Sequence, residues 1–273
     1  MWWEEERESF KSFKDACSKD VDTYASVSEI SSYLYCPRVC YFRQRFNEEP
    51  SIVNAAREIY LSLRKGFDVK WALNRFESIS GSADVFRRAQ NNFVFSEDLQ
   101  NLTPVDWEIY LISDKLKLKG IVDEIVIDSE VLQSDFSYSA GCSTNPSCES
   151  SSGLLNSGFP LLISTYSPQN DVWFRDRIRL AAFCMLIDEF RDHTFSHKRT
   201  SHKGYIYYCF DGKLKEVFIT RRERLHVIKL IERVLMLRKG FIPDKTKNRR
   251  RCIDCFYKDN CKTVRRTFAS RFL

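Results

Sequence analysis

No stretch of this chain is long and apolar enough for a bilayer. The longest unbroken apolar run is Leu180–Ile187, far short of the ~20 residues a membrane-spanning helix needs. No secretory signal is expected either. Such a signal wants positive charge and then an apolar run, whereas the first ten residues carry Glu4, Glu5, Glu6 and Glu8. No internal repeat is visible, which excludes solenoids and propellers. Lys and Arg are absent from Gly120 to Phe174, although seven acids lie there. These absences lead us to expect a cytoplasmic chain with no membrane partner. In that compartment ten cysteines are better read as including metal ligands than as a disulfide framework.

What is present fits a folded protein. The 273 residues, 43% apolar and 14% aromatic, can bury a substantial core as one large or two small domains. Disordered and collagen-like chains are excluded. The formal net charge is +6, from 43 Lys+Arg against 37 Asp+Glu. That average hides an asymmetry, because Arg221–Leu273 holds 17 basic and five acidic residues. A region of this kind attracts polyanions and gains affinity from counterion release. A solvated helix face with a basic tail would account for it equally well.

The patterning predicts a mixture of helices and strands. Residues 1–25 read as a polar leader. Ser26 and Glu29 form a capping box, so a helix should follow and stop near Cys36-Pro37. A second helix is expected over Ile52–Leu73. Trp107–Leu111 alternates as a strand, Ser113-Asp114 turns, and Leu116 to Ile127 continues as its partner. Residues 129–159, with ten serines, read as a flexible insertion, and its Cys142 and Cys148 as incidental thiols. Pro160–Thr165 reads as a buried strand and Trp173–Phe190 as an amphipathic helix. Gly204–Phe210 and Lys213–Thr220 flank an Asp211-Gly212 turn as a hairpin. A helix over Arg221–Arg238 is ended by Gly240 and Pro243. The fold class is α/β or α+β, with residues 26–273 as a single domain.

Cys252-x2-Cys255-x5-Cys261 places three thiols on adjacent turns beyond the last helix. A tetrahedral zinc site or an iron–sulfur cluster needs a fourth ligand, and Cys36 and Cys40 are the candidates. A buried trio of reduced thiols is the alternative. Cys17, Cys184 and Cys209 look structural.

Val27–Arg38, which reads VSEISSYLYCPR, together with the cysteine trio, resembles the CRISPR-associated RecB-like exonucleases, the Cas-four family. The resemblance spans roughly Val27 to Lys262. It implies a PD-(D/E)XK nuclease fold, a mixed central sheet flanked by helices. It also implies a [4Fe-4S] cluster on Cys36, Cys252, Cys255 and Cys261, in segments 36–40 and 252–261, with Cys40 spare. The implied partners are DNA, single-stranded or at ends, and the proteins of CRISPR spacer acquisition.

The same resemblance exposes what is missing. Gly120–Ile125 looks like the family's Gly-x-x-Asp strand, with Asp123 as metal-binding carboxylate. The Glu-x-Lys places read Leu162-Ile163-Ser164, and the Gln-x-x-x-Tyr places read Arg179 and Phe183. In such nucleases two carboxylates hold Mg²⁺ or Mn²⁺, the metal activates a water, and the lysine offsets transition-state charge. Leu162 and Ser164 can do neither job, and strand alternation turns Glu124 away from Asp123. Glu58 is a conceivable helical contributor. Arg179 is the expected partner of Asp123, where a cation would sit in the family.

Around the trio, Arg249, Arg250, Arg251, Lys258 and Lys262, interleaved with Phe256 and Tyr257, suit single-stranded nucleic acid. The rings would alternatively pack over the cluster. The favoured expectation is a cluster-bearing, nuclease-inactive protein that binds DNA or a DNA-processing partner. An active metal-dependent DNA exonuclease and a zinc-stapled interaction module are the alternatives.

Overall fold

The computed structural model describes residues 23–46, 51–128, 157–194, 201–246, 248–253 and 255–263. Residues 1–22 of the polar leader, the cysteines Cys17, Cys142 and Cys148, and nearly all of the serine-rich segment lie outside them; Tyr24 and Ala25, counted in that leader, are buried parts of the fold.

The first helix starts where its cap dictates. In α1 (Val27–Tyr35) the Ser26 hydroxyl accepts from the Glu29 N–H and the Glu29 carboxylate accepts from the Ser26 N–H. Cys36 is extended and Pro37 opens α2 (Pro37–Arg43), as suits a residue before proline and a proline at the first helical position. The single helix expected over Ile52–Leu73 is two, α3 (Ile52–Arg64) and α4 (Val69–Ser80). Gly66 takes φ +83 between them, and Asp68 restarts the helix by accepting from the Trp71 N–H at 2.7 Å. Apolar periodicity continues through this break, so periodicity alone does not reveal it. Helix α5 (Ala83–Asn92) completes this layer.

A hairpin of β2 (Leu102–Ser113) and β3 (Leu118–Asp128) follows. Beyond it come β4 (Phe159–Ser164), α6 (Phe174–Thr194), β5 (Lys203–Tyr208), β6 (Lys213–Phe218), α7 (Arg221–Arg238) and α8 (Lys258–Thr263). The sheet is mixed. Strand β3 is antiparallel to β2 along one edge, and its other edge takes the short parallel β1 (Ala25–Ser26) and then the antiparallel β4. Strands β4 and β5 are parallel, and β6 closes the sheet antiparallel to β5.

Helices cover both faces, so the fold is α/β with a mixed sheet between two helical layers. Val122, Ile125, Leu162, Ile206 and Tyr208 pack with α1, α6 and α7. Val126, Leu161, Ile163, Tyr205 and Tyr207 pack with α3, α4 and α5. Gly120 is required by the first layer: a Cβ there would meet Phe183 Cε1 at 2.8 Å and Val27 Cγ2 at 2.9 Å. Phe183 is thus a core side chain against β3. Cys184 and Cys209 are buried, and burial pushes both thiols up to about 12, as in inert structural cysteines. Among the described residues no helix is long and apolar enough to cross a membrane.

Candidate metal-cluster and nucleic-acid site

The two ends of the described chain meet at a cavity of ≈ 210 Å³, and its lining includes Cys36, Cys252, Cys255 and Cys261. Cys36 reaches it from the junction of α1 and α2. The trio reaches it from the short 3₁₀ turn Arg249–Cys252 and from α8. Cys40 is not in the lining; it is fully buried in the main core with its thiol pushed up by burial and by Glu29.

The cavity wall is held by cations bonded to backbone. Arg38 is buried, with Nε donating to the Pro243 carbonyl at 3.1 Å and Nη1 to the Cys261 carbonyl at 2.9 Å. Arg251 donates to the carbonyls of Leu34 and Tyr35. Tyr257 stacks on Phe42 at 5.4 Å between centroids and is buried, whereas Phe256 is 58% exposed. Tyr257 thus packs with Cys36, Val39 and Phe42, and Phe256 stays at the surface. The thiols are close enough to feel each other. Burial raises Cys255, a hydrogen bond from the Tyr257 N–H opposes the rise, and charge on Cys36, Cys252 and Cys261 adds to it. Among the described residues no three His, Cys, Asp or Glu side chains are grouped as the ligands of one metal ion.

The basic residues expected to meet nucleic acid separate into two sets. Arg249, Arg250, Lys258 and Lys262 are exposed, and Lys258 and Lys262 line the cavity. Arg251 is half-buried and committed to backbone carbonyls, so its role is to tie the cysteine segment to α1.

Asp123 belongs to a separate network, and its partner is not Arg179. Arg57, on α3, pairs with Asp123 Oδ1, while Asp123 Oδ2 accepts from the Ile163 N–H at 2.9 Å. Arg57 Nη1 also stands 3.4 Å from Glu108 Oε1. Arg179 instead lies 3.5 Å from Asp176, whose other oxygen accepts from Ser164 Oγ at 2.8 Å. Leu162 packs with the α6 layer as well. The places matching Glu-x-Lys and Gln-x-x-x-Tyr therefore share one face of the sheet, and Asp123 engages the other.

The expectation that Glu124 turns away from Asp123 also fails. Both carboxylates engage α3: Tyr60 donates to Glu124 Oε2, and Arg64 pairs with Glu124 Oε1 at 2.7 Å. Glu108 sits opposite Asp123 in the β2–β3 register, where Trp107 faces Glu124 and Ile109 faces Val122. Its φ of +54 is left-handed, a conformation that costs a non-glycine residue about 1–3 kcal/mol. The regular alternation of side chains lapses at that step.

The network continues outward. Lys65 Nζ lies 2.9 Å and Arg75 Nη2 3.5 Å from Glu108 Oε2, and Arg75 Nε lies 3.3 Å from Glu58. Burial raises Glu58 and Glu124 despite their arginine partners, whereas for Glu108 the charges of Arg57, Lys65 and Arg75 outweigh burial and hold the carboxyl low. Sequence reasoning missed Arg57, Tyr60, Arg64 and Glu108. The available signal was the polar set Arg57, Tyr60 and Arg64 at helical spacing on one side of α3.

No family model matches the chain. An uncharacterized protein of Archaeoglobus fulgidus is 35% identical over 251 residues, which cover 90% of this chain and 99% of that protein. The chain belongs to the family of that archaeal protein. A solved chain from Eubacterium rectale, described as a "Putative exonuclease", shares 12% identity over 92% of each chain with a TM-score of 0.49.

Proposed function

We propose that the chain is a cluster-bearing DNA-binding protein built on a PD-(D/E)XK-like frame that has lost hydrolysis. The observation that carries this reading is the cavity where Cys36, Cys252, Cys255 and Cys261 meet beneath Lys245, Lys258 and Lys262. Four soft donors drawn from both ends of the chain fit a thiolate-held iron centre. A single zinc ion needs its sulfurs about 3.8 Å apart around one point. Thiols that ring a cavity without converging are better suited to a [4Fe-4S] cluster, where each holds its own iron. The cluster's role here is to fasten the C-terminal segment onto α1 and α2. The exposed cations around it then present a fixed positive surface to phosphates, and Phe256 offers a face for base stacking.

Loss of hydrolysis follows from the other network. Leu162 and Ser164 supply neither carboxylate nor ammonium, and both oxygens of Asp123 are already taken. The residues present do not fit a Mg²⁺ or Mn²⁺ nuclease centre. The association with CRISPR spacer acquisition rests on the resemblance of Val27–Arg38 and the cysteine trio alone.

The test is full-length protein on labelled single-stranded and double-stranded DNA, with and without Mn²⁺. The expected result is retention of the DNA on a native gel with no cleavage. Cleavage abolished by Asp123→Ala would establish the exonuclease reading instead.

A further inference from the structure

Both oxygens of Asp123 are engaged from within the chain. The Arg57 guanidinium contacts Asp123 through Nε and Glu108 through Nη1. It thus bridges two carboxylates that stand across from each other on β2 and β3. The Ile163 N–H takes the remaining oxygen of Asp123. The left-handed backbone at Glu108 accompanies the turn of its carboxylate toward Arg57, Lys65 and Arg75.

We propose that Arg57 is the resident counter-cation of this pocket and excludes a divalent ion from it. This deepens the function proposed above and rests on that reading of the pocket as catalytically silent. The chemistry favours the guanidinium on three grounds. Its charge is permanent, and its planar fork spans two carboxylates at once. A hard divalent ion instead needs about six oxygens, and it parts with its water reluctantly. No oxygen of Asp123 is uncommitted, and Glu108, Glu58 and Glu124 each have a cationic partner. The silencing therefore lies in a resident basic residue as well as in Leu162 and Ser164 at the Glu-x-Lys places. Arg179, the sequence-level candidate for this role, is held by Asp176 on the other face.

The experiment is Mn²⁺ binding to full-length protein, read from loss of the free ion's paramagnetic resonance signal. Wild type should bind Mn²⁺ no more tightly than its Asp123→Asn variant does. Arg57→Gln, which frees Asp123 and Glu108 together, should bind one Mn²⁺ at least tenfold more tightly than wild type. Adding Asp123→Asn should abolish that gain. If Arg57→Gln does not fold, Arg57→Lys carries the test, because an ammonium cannot span both carboxylates. At least threefold tighter binding than wild type is then expected, and equal binding overturns the assignment. Wild type binding Mn²⁺ as tightly as Arg57→Gln would overturn it too. Cleavage of DNA by wild type would overturn the proposed function. Intact DNA with no gain in Arg57→Gln would overturn the role of Arg57 alone.

Discussion

Arg38 Nη1 donates to the carbonyl of Cys261 at 2.9 Å, across 223 residues of chain. The same guanidinium holds Pro243 through Nε and lies 3.6 Å from the Cys261 sulfur. One buried side chain of α2 therefore fixes both the stretch of backbone leaving α7 and the last cysteine. Arg38→Ala should cost about 1.5–3 kcal/mol for each charge-assisted bond that is not replaced. A urea titration at neutral pH will show the lowered midpoint, and Arg38→Lys should recover only part of it.

The two cysteines at the start and in the interior of α2 should behave differently. Cys40 is fully buried in the main core and Cys36 lines the cavity. Cys40→Ala should lower stability by about 1 kcal/mol through lost packing and leave iron content unchanged. Cys36→Ala or Cys255→Ala should remove iron and solubility together. Iron analysis of the purified variants distinguishes the two outcomes.

The basic surface should sort in the same way. Arg249→Ala and Arg250→Ala remove exposed cations, so each should weaken DNA binding and lower the salt slope by about 1. Arg251→Ala, whose side chain is bonded to Leu34 and Tyr35 carbonyls, should instead lower the melting temperature. Binding isotherms over a salt series, beside thermal melts, check both.

Glu108 gives a pH dependence of known sign. Its folded-state carboxyl is held low by Arg57, Lys65 and Arg75 against the opposing effect of burial. The unfolded chain then binds more protons in the window below the ordinary carboxylate pKa of about 4.3. The stabilisation is complete above that value and is lost as pH falls through the folded pKa. Glu108→Gln should therefore cost most at neutral pH, and its difference from wild type should shrink in acid. Glu58 and Glu124, raised by burial, act in the opposite direction, so the difference curve of the variant is the readout. Urea midpoints measured from pH 7 downward supply it.

Local chemistry makes much of this architecture legible in the amino-acid order. The Ser26–Glu29 box starts α1, the Asp211-Gly212 turn joins β5 to β6, and α7 begins after Thr220 and gives way at Gly240. Each of these is decided by residues within one turn. The cysteine grouping is legible in part: spacing picks out Cys252, Cys255 and Cys261, whereas the choice of Cys36 over Cys40 is what the resemblance of Val27–Arg38 implies. The Asp123 pocket is not legible. Alternation predicts the facing of Asp123 and Glu124 only while β2 and β3 stay regular, and the left-handed Glu108 interrupts them. Choosing between Arg57 and Arg179 depends on which sheet face Asp123 engages, and sequence spacing does not encode that. The changes at Leu162 and Ser164 are visible in the sequence; the cation that holds Asp123 on the other face is not.

The most direct measurement is iron and acid-labile sulfide per chain, with a visible spectrum, on protein purified without oxygen. A [4Fe-4S] cluster on Cys36, Cys252, Cys255 and Cys261 predicts about four of each and broad absorption near ~400 nm, lost together in Cys255→Ala. Colourless protein carrying one zinc ion, or no metal with all four thiols titratable, would contradict it.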